Sequence, residues 1–528
     1  MLRIRPLLVV PAVLSLLGPP VAGQETEARR GVLETDEAQV FLEAFRTISR
    51  FHSSALGDSA LWERALQGLI EQLDDPYATV FTPVEYDQFR EQTTGNYAGI
   101  GVQIGRLNAR VTVTAVFRGY PADGAGMIVG DRIVWVEGHD ATDWSLDQAR
   151  DSIRGPPGTV VRIRVARDGI QDPIPMDIMR DNVHVSALEA TEIEDGVAHI
   201  AIARIARGVA GELAETLTEY GDAHSVIMDL RRNPGGYLDE ALDLVDLLLA
   251  PGQTLASAEG INAWGEVERQ SFQASSPPLL ADKPFIVLVD EYSASAAEII
   301  AGALQDYDRA VVVGQRTFGK GVVQTVYPLP AGRQIRITTG SWFTPLGRSL
   351  HRARHHDGRL VAEDETEMKH VATASGRMLR TGGGVFPGLE VAVDDPRPEE
   401  LALLNDANRA QLPFNVRIEE YAFELAKDAI AAGGAVRLPS SAFDDLARGL
   451  VEEGMDAEVV NNPVARAYLD WRTQVRYLDR ADARSLALLV QSERDTALAE
   501  ALRLARSART PAELLALVGD GSAGSSGR

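Results

Sequence analysis

The chain has 528 residues, 45% hydrophobic and 24% charged, which is the balance of an ordinary soluble globular protein rather than a disordered or membrane-embedded one. That length exceeds one core and, at roughly 100–200 residues per domain, predicts three or four units. A formal charge of −24 argues against phosphate backbones, so no nucleic-acid partner is expected, and the absence of cysteine excludes disulfides, thiolate metal sites and a cysteine nucleophile.

In chain order, basic Arg3 and Arg5 precede an apolar run over 7–17, and small residues up to Gly23 suit cleavage. Residues 1–23 are therefore expected to be a signal peptide and the protein to be exported, periplasmic or secreted. The run is shorter than the ~20 residues of a spanning helix; an uncleaved signal would make the protein membrane-associated. Over 35–93 apolar residues recur at helical spacing (Val40, Phe41, Ala44, Phe45, Ile48, then Leu66, Leu69, Ile70, Leu73), predicting an N-terminal helical domain. Residues 95–168 alternate with glycines as short strands do, predicting a compact β-rich module with hinges at 91–96 and 168–175. Across 176–395, strand-like runs alternate with helical stretches, as in an α/β domain. Helical spacing returns over 398–518 as a C-terminal extension, and the Gly/Ser-rich stretch 519–528 is expected to be a disordered tail.

Three segments of the α/β region carry candidate chemistry. Tyr292-Ser293-Ala294-Ser295-Ala296-Ala297-Glu298 follows an apolar strand and opens a helix, where free N–H groups and the helix dipole favour developing negative charge. By itself this is also what an ordinary N-cap looks like. Lys320 lies between Gly319 and Gly321 and ahead of apolar residues, a setting that can depress an amine pKa until the neutral form serves as a base. Residues 314–320 also spell Gly-x-x-x-x-Gly-Lys, but Gly321 occupies the position where a phosphate loop needs Ser or Thr. Asp229-Leu230-Arg231-Arg232-Asn233-Pro234-Gly235-Gly236 ends a third apolar strand, and its Pro-Gly-Gly turn exposes N–H groups of the kind an oxyanion hole uses.

Together these segments resemble the C-terminal processing peptidases, or tail-specific proteases. The resemblance extends to Leu73-Asp74-Asp75-Pro76-Tyr77, Gln305-Asp306-Tyr307-Asp308-Arg309-Ala310, Thr344-Pro345-Leu346-Gly347-Arg348-Ser349 and the β-rich module, and covers most of residues 35–395. It implies an α/β multidomain protein: a crotonase-like α/β catalytic core with an inserted PDZ-like domain. The family's serine and lysine lie 25 positions apart, as do Ser295 and Lys320, so Ser295 rather than Ser293 is the implied nucleophile. Lys320 is the implied general base, and Gln324 orients it, being on the same face if the segment is helical. The N–H of Ala296 with that of Gly235 or Gly236 would form the oxyanion hole, and Asp306 would support the site or the fold. Ala297 departs from the family, where a serine is common. In the PDZ-like module, the Gly99-Ile100-Gly101 turn would receive a peptide carboxylate.

The implied activity is a serine endopeptidase that takes protein or peptide substrates with accessible C-termini, without cofactor or metal. The C-terminal helices would serve a homo-oligomer or an adaptor. His351, His355 and His356 could be read as a metal cluster, but no carboxylate at fixed spacing supports that. The alternatives are a catalytically inactive PDZ-type peptide-binding scaffold, disfavoured by Ser295, Lys320 and Gln324 together, and a crotonase-like acyl-CoA enzyme, disfavoured by the PDZ-like insertion.

Overall fold

The computed structural model describes residues 34–519 except 55, 194–195, 262–264, 356, 365–367 and 393–394. The expected signal peptide at 1–23, His356 and the tail at 520–528 lie outside the described residues; Gly519, assigned to the tail, ends the Pro511–Gly519 helix.

The core is a six-stranded sheet in the order Leu188–Ile193, Val197–Ile202, Ser225–Asp229, Phe285–Val289, Val311–Gly314, Leu389–Glu390. Only the first pair is antiparallel. Parallel strands need cover on both faces, so they read as continuous apolar runs, and every residue of Phe285–Val289 is buried. One face packs against the helices Val209–Glu219, Leu238–Asp246 and Ala296–Asp306. The other carries Ile227, Ile286, Leu288, Val311 and Val313 and is covered by Leu498, Ala501, Leu502 and Leu514 of the helices Thr496–Ser507 and Pro511–Gly519. The last helices of the expected extension are therefore part of the α/β unit, because the sheet's second apolar face has to be buried. The preceding helices, from Pro398–Arg409 to Arg484–Gln491, form their own clusters, the last of them also reaching the sheet face through Leu488.

Residues 35–93 are not wholly helical. Between the helices Asp58–Glu71 and Pro83–Thr94, the strand Thr79–Phe81 pairs with Gln334–Phe343, in a five-stranded sheet that also holds Val322–Pro328. The N-terminal segment is thereby sewn to the strand that follows Lys320.

The β-rich module runs further than expected. Its sheet orders Val102–Leu107, Arg110–Val116, Arg132–Val136, Val160–Ala166 and Ile174–Met179, so the boundaries at 168 and 176 fall inside it. The glycine and proline read as a hinge at 168–175 belong to the hairpin turn between its last two strands. The stem is a strand pair, Asn96–Gly99 with Asp181–His184. Helix Phe414–Ala431 touches the module through Glu420, which accepts from Asn108 N, and Lys427, which pairs with Asp168.

Candidate active site

Loops at the C-terminal ends of adjacent parallel strands, after Asp229 and Val289, form the site, the usual ligand edge of such a sheet. They are bonded to each other: Asp290 Oδ1 accepts from Arg232 N at 2.9 Å, and Ala294 N donates to Asn233 O at 2.9 Å. Ser293 is fully buried and its hydroxyl donates to Leu230 O at 2.8 Å, so it serves as a tie between the loops. Ser295 is only partly buried. It occupies the N-cap position of Ala296–Asp306, but with φ 56° and ψ −118° instead of the extended backbone of an ordinary cap. Such a conformation costs about 1–3 kcal/mol and persists only where surroundings enforce it.

The enforcing group is Glu298. Its carboxylate, fully buried, accepts from Ser295 N at 2.8 Å, Thr317 Oγ1 at 2.5 Å, Gly319 N at 2.7 Å and Lys320 N at 2.8 Å. Burial pushes its carboxyl pKa up, while these donors pull it down. No role for Glu298 follows from the family resemblance, although Ser295-Ala-Ala-Glu298 carries the Ser-x-x-Glu signature of a capping box.

Lys320 sits in a loop that two glycines make possible. A Cβ on Gly319, at φ 84°, would stand 2.3 Å from Arg352 Cγ, and one on Gly321 would stand 2.3 Å from His351 N. Burial, aided by the nearby Arg336 guanidinium and opposed by Glu298 and Asp75, lowers the Lys320 pKa to about 8. Its Nζ lies 4.9 Å from the centre of the Tyr77 ring, contributed by the N-terminal segment. The helical face expected to join Lys320 to Gln324 is not formed. Val322–Pro328 is a strand with a register shift at Val323 and Gln324, and the Gln324 amide donates to Tyr77 O at 2.9 Å. A run of β-branched residues around Gln324 favours a strand over a helix.

The glycine turn reaches Ser295. A Cβ on Gly235 would lie 2.8 Å from Ser295 Cβ and 2.9 Å from Ala296 N. Gly235 N itself donates to Asn233 Oδ1 at 2.8 Å, whereas Gly236 N and Ala296 N have no hydrogen-bond acceptor among the described residues. Of the three expected donors, only Gly236 and Ala296 thus keep an N–H without an acceptor. Beneath the turn, burial raises the Asp229 pKa but Arg231 and His199 outweigh it and hold the carboxyl below its usual range. Arg231 also makes two hydrogen bonds to Asp495, at 2.7 and 2.9 Å, at the start of the helix on the sheet's second face.

Asp306 lies at the far end of the serine helix and touches none of these groups. Its carboxylate takes Arg348 Nη2 at 2.6 Å and Leu346 N at 2.8 Å in a fully buried pair, which fixes the 344–349 turn. In the β-rich module, Gly99 is in the stem strand, Ile100 is buried with its carbonyl accepting from Ala122 N, and Gly101 has φ 83° with Tyr120 against it. The next strand, Val102–Leu107, is the edge of the module's sheet. Among the described residues no group of three or more His, Cys, Asp or Glu side chains is placed to hold a metal.

Residues 196–356 match peptidase family S41, and residues 112–167 match the PDZ domain. A probable CtpA-like serine protease of Staphylococcus epidermidis is 32% identical over 312 residues, 58% of this chain and 62% of that relative, so this chain spans less than two thirds of its length. A carboxy-terminal-processing protease of Bartonella bacilliformis is 31% identical over 316 residues, 59% of this chain and 71% of the relative. Among solved structures, the photosystem II D1 C-terminal processing protease matches at 24% identity and a TM-score of 0.33, over 62% of this chain and 92% of its own. The PDZ domain of a carboxy-terminal protease from Vibrio cholerae, solved with a peptide, matches at 28% identity and a TM-score of 0.16, over 17% of this chain and 99% of its own.

Proposed function

Because the chain belongs to peptidase family S41, we propose that it is a serine endopeptidase that holds the C-terminal tail of a protein substrate in its PDZ domain and cuts by a Ser-Lys mechanism. The observation that carries this reading is the Glu298 carboxylate, which ties a strained serine at a helix N-terminus to a partly buried lysine of depressed pKa.

In this reading Lys320 Nζ, neutral, takes the proton of Ser295 Oγ as that oxygen attacks the scissile carbonyl carbon. The resulting oxyanion is held by the N–H groups of Gly236 and Ala296; losing one such donor typically costs about 2.7–4 kcal/mol of barrier. The ammonium of Lys320 then protonates the leaving amine, and the C–N bond breaks to give an acyl-enzyme on Ser295. Water, deprotonated by Lys320, attacks the ester and releases the new carboxylate with Ser295 restored. The core is crotonase-like in this account. The tail would add a strand to Val102–Leu107 with its carboxylate at the Gly99–Gly101 turn.

Export goes with the same reading: the mature chain would begin near Gln24, which N-terminal sequencing of the native protein tests. Activity is tested by comparing the parent protein with Ser295→Ala on unfolded, apolar-tailed proteins. Cleavage that survives the substitution would overturn the proposal.

A further inference from the structure

The N-terminal segment contributes a side chain to the lysine and not only a neighbouring unit. Tyr77 follows the helix Asp58–Glu71 in a short irregular stretch, yet it is anchored at several points. Its N–H donates to Asp75 Oδ1 at 3.0 Å, and Asp75 in turn accepts from Thr338 N and Thr338 Oγ1, both at 3.0 Å, on the strand paired with Val322–Pro328. Its carbonyl accepts from the Gln324 amide at 2.9 Å. Two residues beyond it, Thr79–Phe81 locks into the register of Gln334–Arg336. These ties present the ring face to Lys320 Nζ at 4.9 Å. The Tyr77 hydroxyl is buried beside Arg354 and makes no hydrogen bond of good geometry among the described residues, so the main chain does most of the anchoring and the face turned to the lysine is the ring.

We propose that Tyr77 is a positioning residue for Lys320, its ring closing one side of the amine against water and offering a negative face to the ammonium, with Gln324 acting through Tyr77. The inference rests on the reading of Lys320 as the general base of a Ser295 peptidase. It also explains why a glutamine on a strand, making no hydrogen bond to the lysine, belongs to the site: it fixes the main chain of the residue that touches it.

The charged and titratable groups around this contact come from every packed element. They are Glu298 on the serine helix, Arg336 on the Gln334–Phe343 strand, Asp75 beside Tyr77, and His351 and Arg354 on the segment that backs the lysine loop. A variant that changes only the Tyr77 side chain leaves all of them in place. Two effects of opposite sign then separate. Tyr77→Ala admits water to the amine, and because burial is the largest influence on Lys320, the ammonium gains stability despite losing the ring. Tyr77→Leu keeps the site dry but removes the ring's negative face, so the ammonium loses stability.

The test is the pH dependence of kcat/KM on a peptide reporter for the full chain and its Tyr77→Phe, Tyr77→Leu and Tyr77→Ala variants, with Ser295→Ala as control. The parent should show a rising limb near pH 8. Tyr77→Phe should keep that limb, Tyr77→Leu should lower it by about half a unit, and Tyr77→Ala should raise it by about one unit or more, toward the ordinary lysine value. If Tyr77→Ala does not fold, the leucine and phenylalanine arms still decide the matter. A limb that stays in place in every folded variant, with only KM or thermal stability altered, would overturn the proposal. An inert parent, or a Ser295→Ala protein as active as the parent, would instead reject the peptidase reading on which it rests.

Discussion

The main-chain N–H groups of Ser295 and Lys320 converge on one atom, each donating to Oε2 of Glu298 at 2.8 Å. The two residues lie on different chain segments, and neither can drift without leaving a buried carboxylate short of a donor. Glu298→Gln keeps the shape but turns part of the acceptor surface into a donor facing N–H groups. The expected cost is about 1–3 kcal/mol of stability with a fall in kcat of roughly 10–100-fold. Steady-state kinetics and thermal melts on one preparation check this; undiminished kcat would show that the carboxylate does not set the catalytic geometry.

Lys320 has a folded-state pKa of about 8, below the ~10.4 of an unfolded chain. The unfolded state therefore binds this proton more readily, and the lysine opposes folding fully below the folded value and not at all above the unfolded one. Lys320→Met should raise the melting temperature near neutral pH, and the gain should fade as pH climbs through the interval between the two. Melts over that range test it, and a gain unchanged at the alkaline end would contradict the assigned cause.

Asp306 and Arg348 form a pair that is 0% and 1% exposed. Removing one partner strands the other, so Asp306→Ala should cost about 3–5 kcal/mol, whereas Asp306→Leu with Arg348→Met should recover much of the loss. Denaturant melts of the single and double variants decide this. Loss of activity with full stability would move Asp306 from the fold to the chemistry.

The helix Thr496–Ser507 supplies Leu498, Ala501, Leu502 and Leu504 to the second face of the core sheet, and Asp495 holds Arg231 just before the glycine turn. Truncation after residue 494 should give an insoluble or unfolded protein, while truncation after 519 should leave stability and activity intact. Asp495→Ala, a milder change, should lower kcat more than it raises KM, because it loosens the strand end that carries Gly235 and Gly236. A soluble, active protein ending at 494 would show that the C-terminal helices are dispensable.

What was legible in the sequence was local. The uninterrupted apolar run of Phe285–Val289, a short turn and a helix placed Ser295 at a helix N-terminus, and the glycines around Lys320 marked a close backbone approach that Arg352 and His351 do make. The capping signature at Ser295 and Glu298 was also there to be read, but its reach to Thr317, Gly319 and Lys320 spans a non-local fold contact that no periodicity encodes. The hairpin turn after residue 168 reads as a hinge in the sequence because Gly169 and Pro173 suit either. The C-terminal helices displayed an apolar stripe without showing which surface it covers, and the sheet face was the missing half. Gln324 follows from the family resemblance alone, and the helical face on which it could orient Lys320 is one its β-branched neighbours disfavour.

The most direct measurement of the central claim is the site of the covalent intermediate. The full chain, incubated above pH 8 with an acylating serine-protease inhibitor, should carry one added acyl group, and peptide mapping by tandem mass spectrometry should place it on Ser295. Lys320→Ala should be acylated far more slowly. An adduct on Ser293 or on any other residue, or cleavage of substrate by protein fully acylated at Ser295, would contradict the account.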